Sequence, residues 1–196
     1  MALLFLVTRA TACAVLCGTP LHRAAALRAL SHVCALFRTV PYQTHEEDFG
    51  DPRLMMLYAN DCEQLARRCA DLARVALVPQ QPGAEPALAE VAEAAQRGFH
   101  SLELFARGVL KAELQRQRAR VGAALDMAGG FCNVDRPAQG ERARGAVDEA
   151  LACVAQVTSQ WSKALSPRMY LVAAADMLQF LCGRIVDELL EMAGES

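Results

Sequence analysis

Apolar positions along the chain recur with helical spacing, and period-two alternation is missing throughout. The clearest stretch is residues 53–78, RLMMLYANDCEQLARRCADLARVALV. Tyr58, Cys62, Leu65, Cys69, Leu72 and Ala76 follow one another at steps of four and three, which places them along one helix face. A seam this narrow packs against another helix. Asn60 and Asp61 stand at its edge, where an unpaired amide or carboxylate is costly to bury. With Tyr58 they are candidate packing or interface residues.

The same theme fills the rest of the chain. Residues 3–17 read as an apolar helix closed by Gly18, Thr19 and Pro20. Residues 21–39 read as a helix with the stripe Leu27, Leu30, Val33 or Cys34, and Phe37, and Pro41 is expected to stop it. A loop follows, in which His45, Glu46, Glu47 and Asp48 read as solvated rather than as converging metal ligands. Residues 79–86, PQQPGAEP, read as a linker. A long helix is predicted over 86–127, with Leu88, Val91, Ala95, Phe99, Leu102, Phe105 and Val109 as its seam. Gly98 and Gly108 weaken it by about 1 kcal/mol each relative to Ala, which leaves room for a bend or a break there. Residues 111–120, KAELQRQRAR, are polar nearly all round and are expected to be solvated or in polar contact with a partner.

Gly129 and Gly130 read as C-cap glycines ahead of a turn over 131–137. The helix predicted over 139–165 carries the stripe Val147, Leu151, Val154, Thr158, Trp161 and Leu165. Trp161 is read as a core anchor ahead of an interface hot spot. Ser166 and Pro167 open the last predicted helix, which reaches about Met192. It is apolar on more than one face, through Tyr170, Leu171, Met177, Leu178, Phe180, Leu181, Ile185 and Leu189. A helix of that kind is central in a bundle or has a partner outside the chain, so Tyr170, Phe180, Leu181 and Ile185 join the candidates. The expected class is all-α: stacked antiparallel helices forming a segment of a helical rod. N-terminal helices fall within residues 1–40 and the main bundle or rod segment within 53–192.

Composition sharpens this picture. Hydrophobic residues make up 54% of the 196, many of them Ala, and aromatics only 6%, so helices must approach closely to bury enough surface. The net charge of −2 gives no bulk field for nucleic acid or an anionic membrane. The eight cysteines form no C-x-x-C and no zinc spacing, and read as reduced core thiols. The acid-free start with Arg9, Arg23, Arg28 and Arg38 suits a transit peptide better than a secretory signal, though neither is the preferred reading. No run of about 18 uninterrupted apolar residues occurs, so no membrane-spanning helix is expected. There is no G-x-S-x-G, H-E-x-x-H, P-loop or G-x-G-x-x-G, and the four histidines are far apart. No catalytic, metal or cofactor residues are assigned, and the chain is expected not to be an enzyme.

Three segments, in order and spacing, resemble one family. LMMLYANDCEQLARRCADLA (54–73), GFCNVDR (130–136) and LSPRMYLVAAADMLQFLCGRIVDELL (165–190) are similar to corresponding helices and turn of the Zeste-white-ten family, a centromere and kinetochore protein related to a Dsl-type vesicle-tethering subunit. PYQTHEEDF falls where that family has a proline, a tyrosine and a histidine-containing loop. The likeness extends over about residues 28–192, and the first 27 residues match poorly. Asp61 stands where the family has a second asparagine, and Ser166 interrupts its leucine–proline pair. The family protein is several times longer, so the chain is expected to correspond to part of its middle to C-terminal region.

The resemblance implies a non-enzymatic scaffold subunit of a multisubunit tethering complex. Its roles would be Golgi-to-ER vesicle transport and mitotic checkpoint signalling with the kinetochore Rod–Zwilch complex. The implied partners are a Rod-like or neuroblastoma-amplified-like large helical subunit and other tether subunits, without direct nucleic-acid contact. It implies a cytoplasmic protein, peripheral at the endoplasmic reticulum and the kinetochore, that reaches membranes only through its complex. The alternatives are a rod subunit of another tether, exocyst-like or Golgi-type, and a helical bundle binding an apolar ligand.

Overall fold

The computed structural model describes residues 9, 12–13, 19–44, 47, 50–76, 86–132 and 134–194. Five helices account for most of them: α1 (Pro20–Thr44), α2 (Pro52–Ala76), α3 (Pro86–Asp126), α4 (Pro137–Ala164) and α5 (Pro167–Gly194). Arg9, Ala12 and Cys13 are helical as well, and no strand occurs among the described residues. The protein is all-α. The rest of the helix expected over 3–17, the linker 79–85, and His45, Glu46 and Asp48 lie outside the described residues. Glu47 is exposed, and its carbonyl accepts a hydrogen bond from the Gly50 amide at 3.2 Å.

All five helices open on proline. The ring fixes φ near its helical value, and the N–H it lacks has no intrahelical partner at that position. At α2, Asp51 completes the start: its carboxylate accepts the Arg53 amide at 2.8 Å. At the other end of α3, Gly129 and Gly130 hold φ of 68° and 86°, a left-handed region that side chains with a Cβ rarely adopt. The Gly129 amide returns to the Asp126 carbonyl at 3.0 Å. The Gln139 side-chain Nε2 then donates to the Ala128 and Gly130 carbonyls at 2.9 and 2.8 Å, tying the turn to the start of α4.

The chain divides into two compact units at Val109 and Leu110, within α3. In the first unit, α2 runs antiparallel to α1. The Arg23 side chain near the start of α1 reaches the Ala76 carbonyl at the end of α2, and Tyr58 near the start of α2 meets Phe37 near the end of α1. The α2 seam is as the spacing predicts: Tyr58, Cys62, Leu65, Cys69 and Ala76 are buried, with Leu72 half-buried beside Ala73. In α1, Cys34 rather than Val33 takes the third core position after Leu27 and Leu30. On α3 the innermost positions are Leu88, Ala92, Ala95, Phe99, Leu102 and Ala106, while Val91 and Phe105 flank them. Gly98 causes no break in α3. A Cβ there would stand 2.5 Å from the Ser31 hydroxyl, so a side chain at this position would require that hydroxyl to turn away.

Pro41 does not end α1, which continues to Thr44. A proline inside a helix leaves the carbonyl four residues earlier without its donor. Here that carbonyl belongs to Phe37, and the Tyr58 hydroxyl donates to it at 2.5 Å and lies 3.0 Å from the Arg38 carbonyl. Burial first, with Cys62 beside it, pushes the Tyr58 phenol above its ordinary range, so it stays a donor. The Tyr58 ring packs against Phe37 and Phe105 at centroid distances of 5.7 and 5.8 Å, joining all three helices.

The second unit repeats the arrangement with the latter part of α3, α4 and α5. The two residues Leu165 and Ser166 reverse the chain between α4 and α5. The seam of α4 differs from the expected stripe: Ala143, Ala146, Ala150, Val154, Val157, Trp161 and Ala164 are buried, and Leu151 is exposed. Small residues occupy most of the inner line, with Val154, Val157 and Trp161 as its larger members. Trp161 is fully enclosed, the core anchor of this unit. Burying such a ring contributes upward of about 2 kcal/mol.

Tyr58→Phe is expected to destabilise the chain by about 1–3 kcal/mol, because it strands a carbonyl that Pro41 cannot satisfy. With Pro41→Ala, residue 41 regains an N–H for Phe37, and the same Tyr58→Phe change is expected to cost less than about 1 kcal/mol. Urea unfolding of the four chains of this double-mutant cycle measures the coupling; equal costs in both backgrounds would contradict it.

Candidate protein-interaction surface

The residues of α5 sort into two apolar lines. The inner line, Met169, Ala173, Met177 and Leu181, steps by four and is buried. The outer line is not. Leu171 is 65% exposed, Leu178 50% and Leu190 64%, and Val172, Val186 and Leu189 are exposed by half or more. Leu171, Ala175, Leu178, Cys182, Ile185 and Leu189 follow steps of four and three, a second seam with its own helical register. Near its C-terminal end, Ile185 and Leu189 line an open groove of about 270 Å³ with Phe131, Ala143, Val147 and the charged Arg144 and Asp148. By length and composition alone, residues 167–192 could also cross a membrane, contrary to the expectation from uninterrupted runs. Asp176 and Arg184 sit within that stretch, and each would be costly in hydrocarbon. In the fold both are paired with α3.

These pairs fix the rotation of α5. The Arg118 guanidinium on α3 grips both carboxylate oxygens of Asp176, with Nε at 3.1 Å from Oδ2. It also lies over the Phe180 ring, 5.6 Å from the centroid. Four helix positions further along α3, Gly122 faces the same ring. Arg184 reaches Asp126 at 2.9 Å and Glu188 at 3.4 Å. The groups are partly solvated, so each pair contributes on the order of 1 kcal/mol or less. Their value is directional: two contacts of opposite polarity along one helix hold Met177 and Leu181 inward and Leu171 and Leu178 outward.

The polar stretch 111–120 is internally matched. Glu113 and Gln117 are buried, against the expectation of a solvated helix, and continue the α3 seam in place of apolar residues. Glu113 accepts from Arg116 and from the Gln117 amide, the latter at 2.7 Å, and Gln117 in turn accepts from Arg120 at 3.0 Å. With Arg118 committed to Asp176, three of the four cations of this stretch already have partners, which argues against a phosphate-binding strip.

The sequence candidates fall in different places. Tyr58, Asn60 and Asp61 belong to the first unit; Trp161, Tyr170, Phe180, Leu181 and Ile185 to the second. Tyr58, Trp161 and Leu181 are packing residues, Leu181 being only 2% exposed. Tyr170 and Phe180 are half-buried. Ile185 alone of the eight lines the outer groove. Val172, Val186 and Leu190 were missed as interface candidates; the signal for them was the width of the α5 apolar surface. Asn60 and Asp61 are half-buried on α2. Burial raises the Asp61 carboxyl above its ordinary range, and a hydrogen bond with the Asn60 side chain offsets part of that.

Among the described residues, no group of three or more His, Cys, Asp or Glu side chains could hold a metal ion. Comparison with protein-family models, characterised proteins and solved structures found no significant match.

A carboxyl raised in the fold favours folding only while protonated, and that contribution is lost as pH rises through its folded titration. Asp61→Asn is therefore expected to be more stable than the parent at pH 7. The difference should close as pH falls through the carboxylate range toward 3.8. Thermal unfolding of both chains across pH 3–8 tests this; a difference that grows in acid would contradict it.

Proposed function

We propose that this chain is a non-catalytic helical scaffold that works by laying the outer face of α5 against a helical partner. The observation that carries this reading is the second seam of α5, whose aliphatic side chains face solvent along a helix of about 42 Å at 1.5 Å per residue. Contiguous exposed apolar surface of this kind marks an interaction site on a folded protein. A stable partner would cover about 800 Å² on each side.

The finer reading follows the sequence resemblance: a rod segment of the Zeste-white-ten type, joined to a Rod-like or neuroblastoma-amplified-like large subunit. Its place would be in Golgi-to-ER tethering or the kinetochore Rod–Zwilch complex, cytoplasmic and peripheral to membranes. Three-helix packing with an unfilled helix face supports this reading, as does the position of all three resembling segments in or beside helices. An apolar-ligand bundle is less well supported, because the described grooves of about 270–370 Å³ lie open to solvent.

Leu181 is unsuited to testing the interface, because an aspartate there would disrupt the core. Leu171→Asp with Leu178→Asp changes the outer seam alone. Co-expression with a Rod-like or neuroblastoma-amplified-like subunit should recover a complex with the parent chain. The double variant should lower that recovery at least tenfold while unfolding at the parent's temperature. Undiminished recovery by the folded variant would remove α5 as the contact, and failure of the parent to bind either subunit would remove the tether assignment.

A further inference from the structure

The first unit buries three cysteines in one region of its core. Cys34 of α1 and Cys62 and Cys69 of α2 are each no more than 1% exposed. The sulfurs of Cys34 and Cys69 lie 3.8 Å apart. They sit on neighbouring antiparallel helices, so a bond between them would join α1 to α2. Cys62 and Cys69 are two turns apart on one helix, about 10 Å, too far for a disulfide to bridge.

We propose that Cys34 and Cys69 form a disulfide site, at which a low-molecular-weight disulfide such as oxidised glutathione converts two core thiols into a staple between α1 and α2. A deprotonated thiol of one cysteine attacks the glutathione disulfide, forming a mixed disulfide and releasing one glutathione thiolate. The second cysteine, as thiolate, attacks the protein sulfur of that mixed disulfide and releases the second. The two protons lost by the cysteines go to the two glutathione thiolates. One oxidised glutathione becomes two reduced ones, and the protein loses two hydrogens.

The surroundings decide when this happens. The Cys34 thiol is pushed well above its ordinary range, by its hydrogen bond with Cys69 first and by burial second, and burial pushes Cys62 up to about 12. The closed unit therefore presents little thiolate and no path for glutathione. Exchange belongs to the state in which α1 parts from α2, and its rate follows that opening. On closure the sulfurs need to move from 3.8 Å to about 2.0 Å. The bond closes a loop of 35 residues and so restricts the unfolded chain.

The test is to incubate the reduced full chain with oxidised glutathione, with and without low urea, and to acid-quench it for a non-reducing peptide map and thermal unfolding. The expected product links Cys34 to Cys69 and forms faster in low urea. It should raise the first unit's unfolding midpoint by roughly 10 °C or more, and dithiothreitol should reverse the shift. Cys62→Ala should retain the link and Cys69→Ala should lose it. Should Cys69→Ala not fold, the maps of the parent and of Cys62→Ala decide alone. Persistent glutathione adducts on Cys34 or Cys69 without the link, a link through Cys62, or a link with no change in midpoint would each overturn the proposal.

Discussion

Burial of inner helix lines made largely of small side chains is the constraint on which this structure depends. Ala92, Ala95 and Ala106 line the inner face of α3, Ala143, Ala146 and Ala150 that of α4, and Ala173 the middle of α5. Each buries little area alone, and larger enclosed side chains such as Phe99, Leu102, Trp161 and Met177 supply the rest of the interior. Many of the larger aliphatic residues lie outside these lines. Leu151 on α4 and Leu171, Leu178 and Leu190 on α5 are exposed because the inner lines are already filled. The apolar surface that suggests a partner is thus a consequence of how the interior is packed.

Polar contacts then choose among the rotations that such smooth seams would allow. Arg118 with Asp176 and Arg184 with Asp126 register α5 on α3 at two heights. Tyr58 does the equivalent in the first unit, where one hydroxyl meets the carbonyl that Pro41 leaves without a donor. Neither device adds much free energy on its own. Both penalise alternatives, since a rotated helix would strand a charge or a carbonyl in the interior.

Much of the fold was legible in the sequence. Proline and glycine punctuation located all five helix starts to within two residues, and the α2 seam could be read directly because most of its members are large or sulfur-containing. What the sequence hid has specific causes. The passage of α1 through Pro41 depends on a hydroxyl supplied 17 residues further on, which no local rule anticipates. The burial of Glu113 and Gln117 depends on their satisfying each other and neighbouring arginines. The α4 stripe was misplaced because alanine carries a weak hydropathy signal, so the eye follows Leu151. For the candidate surface, the excess apolar width of α5 was visible, but which line faced inward was not. Leu181 and Leu178 are three residues apart and equally hydrophobic; the inner line through Met177 and the ion pairs with α3 go together with the register that buries Leu181.

Cys182 lies on the outer line of α5, exposed between Leu178 and Val186, and its alkylation rate tests the central claim most directly. In the isolated chain it should react as an accessible thiol, as should Cys13. In the assembled complex Cys182 should be slowed at least tenfold while Cys13 is unchanged. Equal reactivity of Cys182 in the free and assembled chain would contradict burial of this face by a partner.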